Sequence, residues 1–325
     1  MPIYVARVRH NGAAFFAVVR EGGLVPLDPS ITTTGQLLTE ARAEVRTRAA
    51  APPALTLGEV ELLSPITPNQ QLVCQGLNYR SHLVETGQDP DARSFNLFFR
   101  KASSALSPAT ADIVRPRHVE LLDYELELGL VIGRAIDGPL DVTPELLAEL
   151  IGAVVMTNDV SARDVQLPEG QFYKGKSYRT FAPTGPWLAL LAPDELARLG
   201  ELELTLTVNG EHRQRGRVEE LVYAPAETLA ELSRLQDLAP GDLICTGTPG
   251  GVALRVPGPA AQRLAALLPE RLRWRLFVGT QRRSARYLRP GDEIVSRIRT
   301  ADGVLDLGEQ RNRVVAEPGP LTSRT

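Results

Sequence analysis

The sequence predicts a mainly β fold with a minority of helix, α+β in class, in which a small N-terminal α/β module precedes a large β-rich body. Three observations carry this. Short runs of Val, Ile, Leu and aromatic residues recur along the chain, bounded by Gly, Pro, Asn and Asp. Helical periodicity is confined to a few segments. A stretch rich in proline and turn residues, APPALTLGEVELLSPITP, marks a boundary near residue 66, giving expected units of 1–66 and 67–325.

In chain order, residues 3–8, 14–20 and 22–27 read as strands turned at Asn11-Gly12 and Gly22-Gly23, followed by a helix over 34–48. In the body, strands are expected at 71–75, 96–100, 124–132, 153–158, 186–191, 202–208, 241–246, 292–299 and 303–307, and helices at 79–86, 144–151 and 225–236. Asn209-Gly210, between ELTLTV and EHRQRG, is a hairpin signal. The segment QDPDARS (88–94) reads as a mobile stretch. Residues 253–290 hold nine arginines against one acid, Glu270, and AAQRLAALLPERLRWRLF has helical character interrupted by Pro269. This excursion is either a surface layer whose Arg stems cover apolar area, a dimer contact, or a lid that attracts anions.

Composition excludes several classes. The chain has 325 residues, 43% hydrophobic and 23% charged, with a formal net charge of −3, so neither nucleic acid nor a membrane surface is expected as a partner. No apolar run reaches membrane-spanning length and MPIYVARVRH lacks a signal-peptide core, so a cytoplasmic protein is expected. Cys74 and Cys245 sit in apolar contexts and read as small buried residues. The motifs HExxH, GxSxG, CxxC and a Rossmann GxGxxG are all missing, which argues against a zinc protease, a serine esterase and a dinucleotide-binding dehydrogenase. Of the 36 Lys and Arg residues only Lys101, Lys174 and Lys176 are lysines, so a retained lysine points to a place that needs a compact ammonium.

The chemistry is concentrated in LLDYELELGLVI (121–132), where Glu125 and Glu127 lie two apart in an apolar run. On a strand both side chains share one face. Burying two like charges requires a cation or protons, and oxygen ligands favour Mg²⁺, Mn²⁺ or Ca²⁺; the alternative is a half-exposed strand with both Glu outward. LNYRSHLVETG places His82 and Glu85 three apart, hence neighbours on one helix face. The pair reads as a general base with its orienting carboxylate, or as an ordinary surface ion pair. TNDVSARDVQ places Asp159 where a strand would end, a position for a ligand or a simple turn residue, and Arg163-Asp164 reads as a structural pair. Lys174 and Lys176 lie in FYKGKSYRTFAPTGPWL, either near a metal or in a solvated loop. PGDLICTGTPGGV is a strand entering a Gly-rich turn whose N–H groups and Thr248 suit a carboxylate.

Together and in order, LNYRSHLVETG, LDYELELGLVIG, TNDVSARDVQ, YKGKSYRTFAPTGP, LAPGDLICTGTPGGV and LRPGDEIVSRI…LGEQRNRVV closely resemble the fumarylacetoacetate hydrolase family over roughly residues 70–315. The resemblance implies a twisted β-roll, barrel-like catalytic body, a divalent metal (usually Mg²⁺ or Mn²⁺), a small keto-acid substrate and a homodimer. It assigns Glu125, Glu127 and Asp159 to the metal, His82 and Glu85 to water activation on a lid helix, and Lys176 to the GKS-type lysine. Gln166 and Thr248 match substrate-contacting positions, and Tyr79, Arg100 and Tyr178 complete the substrate-binding candidates. The activity implied is hydrolytic C–C cleavage of a 2,4-diketo acid of acylpyruvate type. The alternatives on the same centre are oxaloacetate decarboxylation and isomerisation of a 2-hydroxy-dienedioate. Two departures bear on the substrate: Arg179 stands where the family often has an acid, and the Arg-rich excursion exceeds the usual short link.

Overall fold

A computed structural model describes residues 1–92 and 95–319, so the end of the 88–94 stretch lies outside the described residues. The main sheet runs, edge to edge, through Gly23–Pro26, Ala13–Arg20, Ile3–His10, Leu188–Leu190, Ile151–Asn158, Leu126–Ile132, Leu243–Cys245, Leu72–Gly76 and Leu97–Lys101. Leu243–Cys245 and Leu72–Gly76 pair in parallel, and the other neighbours on this path are antiparallel. A second sheet joins Glu211–Arg217, Glu203–Val208, Glu293–Arg299, Asp306–Ala316 and Ile113–Arg115. The N-terminal strands continue the body's sheet, because Ile3, Tyr4 and Val5 pair with Leu190, Ala189 and Leu188. Val5, Phe16 and Leu37 share one apolar core with Leu128, Val154 and Ile244.

The sheets are open among the described residues, and the mixture of strands and helices agrees with the expected fold class. The edge strand Leu97–Lys101 is covered instead of paired. The short helix Phe172–Lys176 lies against it, with Phe99 and Phe172 ring centroids 5.2 Å apart in an edge-on contact.

Most elements follow local pattern. Every residue of Leu126–Ile132 and Ile151–Asn158 is buried, as continuous apolar runs require of central strands. The Asn209-Gly210 hairpin forms with both residues at positive φ, 51° and 80°. The expected 34–48 helix is two helices, Thr34–Thr39 and Arg42–Arg48; a Thr33–Gln36 capping box opens the first, and Arg42 Nε donates to Leu38 O at 2.9 Å across the break. The last strand runs over Asp306–Ala316, well past 303–307. Its buried positions include the polar Gln310 and Asn312, which donate to the carbonyls of Pro183 and Ala111 at 3.1 and 2.8 Å, so an apolar period does not reveal it. Helices Arg163–Glu169 and Phe172–Lys176 occupy stretches that read as turn and loop.

Candidate metal centre and active site

Glu125 and Glu127 reach the centre from the start of the central strand. Glu125 precedes Leu126–Ile132 and Glu127 is its second residue, so the two-residue spacing sends both carboxylates to one side. Asp159 follows directly on the last residue of the neighbouring strand, Ile151–Asn158. The Asn158 side chain accepts from Glu125 N at 3.0 Å, and Asp159 N donates to Glu125 O at 2.8 Å, locking the two strand ends together. The three carboxylates are buried and offer oxygens that all lie within 4.8 Å of one another.

Two ammonium groups and one guanidinium meet this cluster. Lys176 Nζ donates to Glu125 Oε2 at 2.8 Å and to Asp159 Oδ2 at 2.6 Å. Lys101 Nζ donates to Asp159 Oδ1 and, at 2.7 Å, to Phe181 O. Arg163 Nη2 lies 2.5 Å from Glu125 Oε1 as an ion pair without hydrogen-bond alignment, while its Nε donates to Asp123 Oδ2 at 2.9 Å. Burial raises Glu125, but Lys176 and Arg163 outweigh it and hold this carboxyl at about 2. Burial lowers Lys176, and Asp159 and Glu125 more than reverse that. Among the described residues Glu127 makes no ion pair. Its Oε2 accepts the Gly247 N–H at 2.9 Å, and burial, reinforced by Asp159, Cys245 and Glu125, pushes it well above the usual range.

That imbalance is the test of a metal. Three buried, all-oxygen donors converge, and burial together with the neighbouring acids raises the proton affinity of one of them. A hard divalent cation supplies what this donor set lacks, so the residues fit one.

The three carboxylate positions do not act alone. A cavity of about 240 Å³ opens at Glu125 and Glu127, with His82, Gln166, Lys176 and Thr248 in its wall. His82 and Glu85 lie on the helix Arg80–Glu85; His82 is buried, and its Nδ1 is 3.9 Å from Glu85 Oε2, beyond a direct hydrogen bond. Glu85 is held elsewhere, by Gly251 N–H at 2.8 Å and Arg255 Nη1 at 2.9 Å. Burial raises its pKa, and these contacts together with nearby His82 bring it to about 2. Gly251 must be glycine: its φ is +105°, and a Cβ there would stand 2.0 Å from Arg213 O. Thr248 Oγ1 donates to Leu126 O at 2.9 Å and accepts from Gln214 at 2.7 Å. Gln166 Oε1 accepts from Arg163 Nη1 at 3.0 Å.

Other sequence candidates fall outside the cavity wall. Tyr79 is fully buried and its hydroxyl has no hydrogen-bond partner. Arg100 is exposed, on the strand whose next residue, Lys101, turns inward. The Tyr178 hydroxyl sits 2.8 Å from His118 Nε2 and its ring packs on Phe181. Arg179 is exposed. Lys174 pairs with Glu169 at the surface at 2.6 Å, because residues two apart on a helix face opposite ways and Lys176 takes the inward side. Lys101, Arg163 and Asp123 were missed as site residues. The signal for Lys101 was present: it is one of only three lysines in the chain. Arg163 does not pair with Asp164 as its neighbourhood suggested; Asp164 accepts Glu120 N at 2.6 Å.

Among the described residues no helix is long and apolar enough to cross a membrane. Residues 71–315 match the family model described as fumarylacetoacetate (FAA) hydrolase C-terminal. A 2,4-didehydro-3-deoxy-L-rhamnonate hydrolase of Sphingomonas sp. (strain SKA58) is 35% identical over 218 residues, 67% of this chain and 74% of that protein. The mitochondrial oxaloacetate tautomerase FAHD2A of Homo sapiens is 35% identical over 243 residues, 72% of this chain and 75% of that protein. A fumarylacetoacetate hydrolase from Exiguobacterium antarcticum shares the fold at a TM-score of 0.69 and 28% identity, with 97% of this chain and 100% of that chain covered. By the family model and these enzyme relatives, this chain belongs to the fumarylacetoacetate hydrolase family.

Proposed function

We propose that this protein is a divalent-metal-dependent hydrolase that cleaves the C3–C4 bond of a 2,4-diketo acid of acylpyruvate type. The observation that carries this is the buried Glu125–Glu127–Asp159 cluster at the base of a cavity whose wall includes His82 and Lys176. The name of the Sphingomonas relative, a hydrolase of a 3-deoxy acid oxidised at C2 and C4, supports the substrate class. Glu125, Glu127 and Asp159 would hold Mg²⁺ or Mn²⁺, with Ca²⁺ a further oxygen-preferring candidate, and the ion when bound supplies Lewis acidity toward substrate oxygens.

The protein's own groups then divide the work. His82 takes a proton from water, which adds to the C4 carbonyl; Glu85 orients the imidazole, and such hydrogen bonds commonly tighten only when substrate is bound. The C3–C4 bond breaks with its electron pair going to C3, and the proton held on His82 returns there, giving a carboxylic acid and pyruvate. Lys176 presents a fixed positive charge toward the enolate formed on the way, without reorganising. Thr248 and Gln166 line the cavity where they can orient the substrate's polar end.

A second reading draws on the tautomerase name of the human relative. The same centre would stabilise the enolate of oxaloacetate without water attack, for keto–enol exchange, decarboxylation or a related isomerisation. The deciding experiment follows acetylpyruvate with and without Mg²⁺ or Mn²⁺ and identifies products. Metal-dependent formation of acetate and pyruvate supports the hydrolase. Intact acetylpyruvate with accelerated oxaloacetate enol–keto exchange replaces it with the second reading. A homodimer belongs to the proposal and is read by light scattering.

A further inference from the structure

The Arg-rich excursion folds as two helices, Pro259–Ala266 and Glu270–Gln281, and these help to line a second, solvent-open cavity of about 480 Å³. It is twice the volume of the metal cavity, and the two share a wall: Leu167, Leu254 and Val256 line both. Its far side is apolar, formed chiefly by Trp274, Leu276 and Phe277. Of the polar groups near it, the Trp274 Nε1 is buried without a hydrogen-bond partner among the described residues, and the Gln281 side chain is engaged. Gln281 Nε2 donates to Arg255 O at 2.7 Å, Gln281 Oε1 accepts from the Tyr287 hydroxyl at 2.9 Å, and the Arg273 guanidinium lies 5.9 Å from the Trp274 ring. The base of the excursion is also fixed to the metal centre, because Asp123, which pairs with Arg163, accepts the N–H groups of Ala253 and Leu254 at 2.8 and 3.1 Å.

We infer that this second cavity is the acyl-arm subsite of the same active site and that the substrate carries a long, unbranched apolar acyl group. The inference rests on the keto-acid reading of the metal centre. An apolar cavity that adjoins a polar, charged one fits a ligand with a charged head and a hydrocarbon tail. The two adjoin at Leu167, Leu254 and Val256. A lone apolar cavity would suit many occupants; its position beside the metal cavity selects the tail of a molecule whose head is held there.

The test compares acetylpyruvate with hexanoylpyruvate in the metal-loaded protein. Each buried methylene is expected to raise kcat/KM about fourfold, so hexanoylpyruvate should exceed acetylpyruvate on the order of 100-fold. Phe277→Arg, which fills and charges the chamber, should reduce this ratio at least about tenfold by the same burial argument. A binding measurement runs beside it in metal-free protein: sodium decanoate should change the emission of Trp274, and Trp274→Phe should abolish the change. Turnover of acetylpyruvate with no gain for hexanoylpyruvate overturns the subsite and leaves the hydrolase standing. Decanoate binding at Trp274 without turnover of either acylpyruvate keeps the apolar subsite and overturns the reaction. If Phe277→Arg converts a dimer to a monomer and leaves the chain-length ratio unchanged, the chamber belongs to a subunit contact and the inference fails.

Discussion

Arg255 Nη1 lies 2.9 Å from Glu85 Oε1, so the first residues of the Arg-rich excursion grip the helix that carries His82. The same carboxylate takes the Gly251 N–H at 2.8 Å. Glu85 is thereby tied to the Gly-rich turn and to the excursion, and its 3.9 Å separation from His82 is set by those ties. Arg255→Ala should release Glu85 toward His82. The pair is partly exposed, so the melting temperature should move little, corresponding to under about 1 kcal/mol. Turnover should change several-fold while metal affinity, read by calorimetric titration, stays constant.

Glu127→Gln separates metal binding from folding. Burial and the neighbouring Asp159, Cys245 and Glu125 disfavour a charged Glu127, so the neutral amide should leave the metal-free protein as stable as before or slightly more so. The stabilisation conferred by metal should shrink. A site saturated 100-fold over its Kd gains about 2.7 kcal/mol, and most of that gain should disappear in a thermal-shift titration with Mn²⁺.

The three lysines should differ sharply in what their loss costs. Lys101 is buried against Asp159 and Phe181 O, and Lys101→Ala strands part of a buried charge, so urea denaturation should show a loss of about 3–5 kcal/mol. Lys174 sits in a surface pair with Glu169, and Lys174→Ala should leave the urea midpoint essentially unchanged. Lys176→Ala should remove turnover as well as stability, because its ammonium bridges Glu125 and Asp159 in the cavity wall.

The acid limb of stability should carry a Glu85 signature. This carboxyl falls from an ordinary 4.5 to about 2 in the fold, where burial is outweighed by its contacts to His82, Gly251 and Arg255. A depressed folded pKa stabilises above the unfolded value and is lost as pH falls through the folded one. The Glu85 contribution is therefore complete above about pH 4.5 and vanishes toward about pH 2. Glu85→Gln should flatten the change in denaturation midpoint across that window relative to the parent protein.

The sequence by itself determined the parts whose cause is local. Two carboxylates spaced by two in an apolar run, HxxE at helical spacing, an acid just after a strand and Asn-Gly in a hairpin are each written in neighbouring residues, and the ordered set of motifs pointed to the family. Tertiary structure decided what those groups face. Lys101 and Asp159 are 58 residues apart, and Glu85 and Arg255 are 170 apart; no periodicity links such pairs, because their meeting depends on strand order and on how the excursion folds back. The final strand runs past its expected end for a related reason, since Gln310 and Asn312 are buried through carbonyls that only the folded chain brings to them. That Leu167, Leu254 and Val256 line both the apolar and the charged cavity is likewise a property of packing.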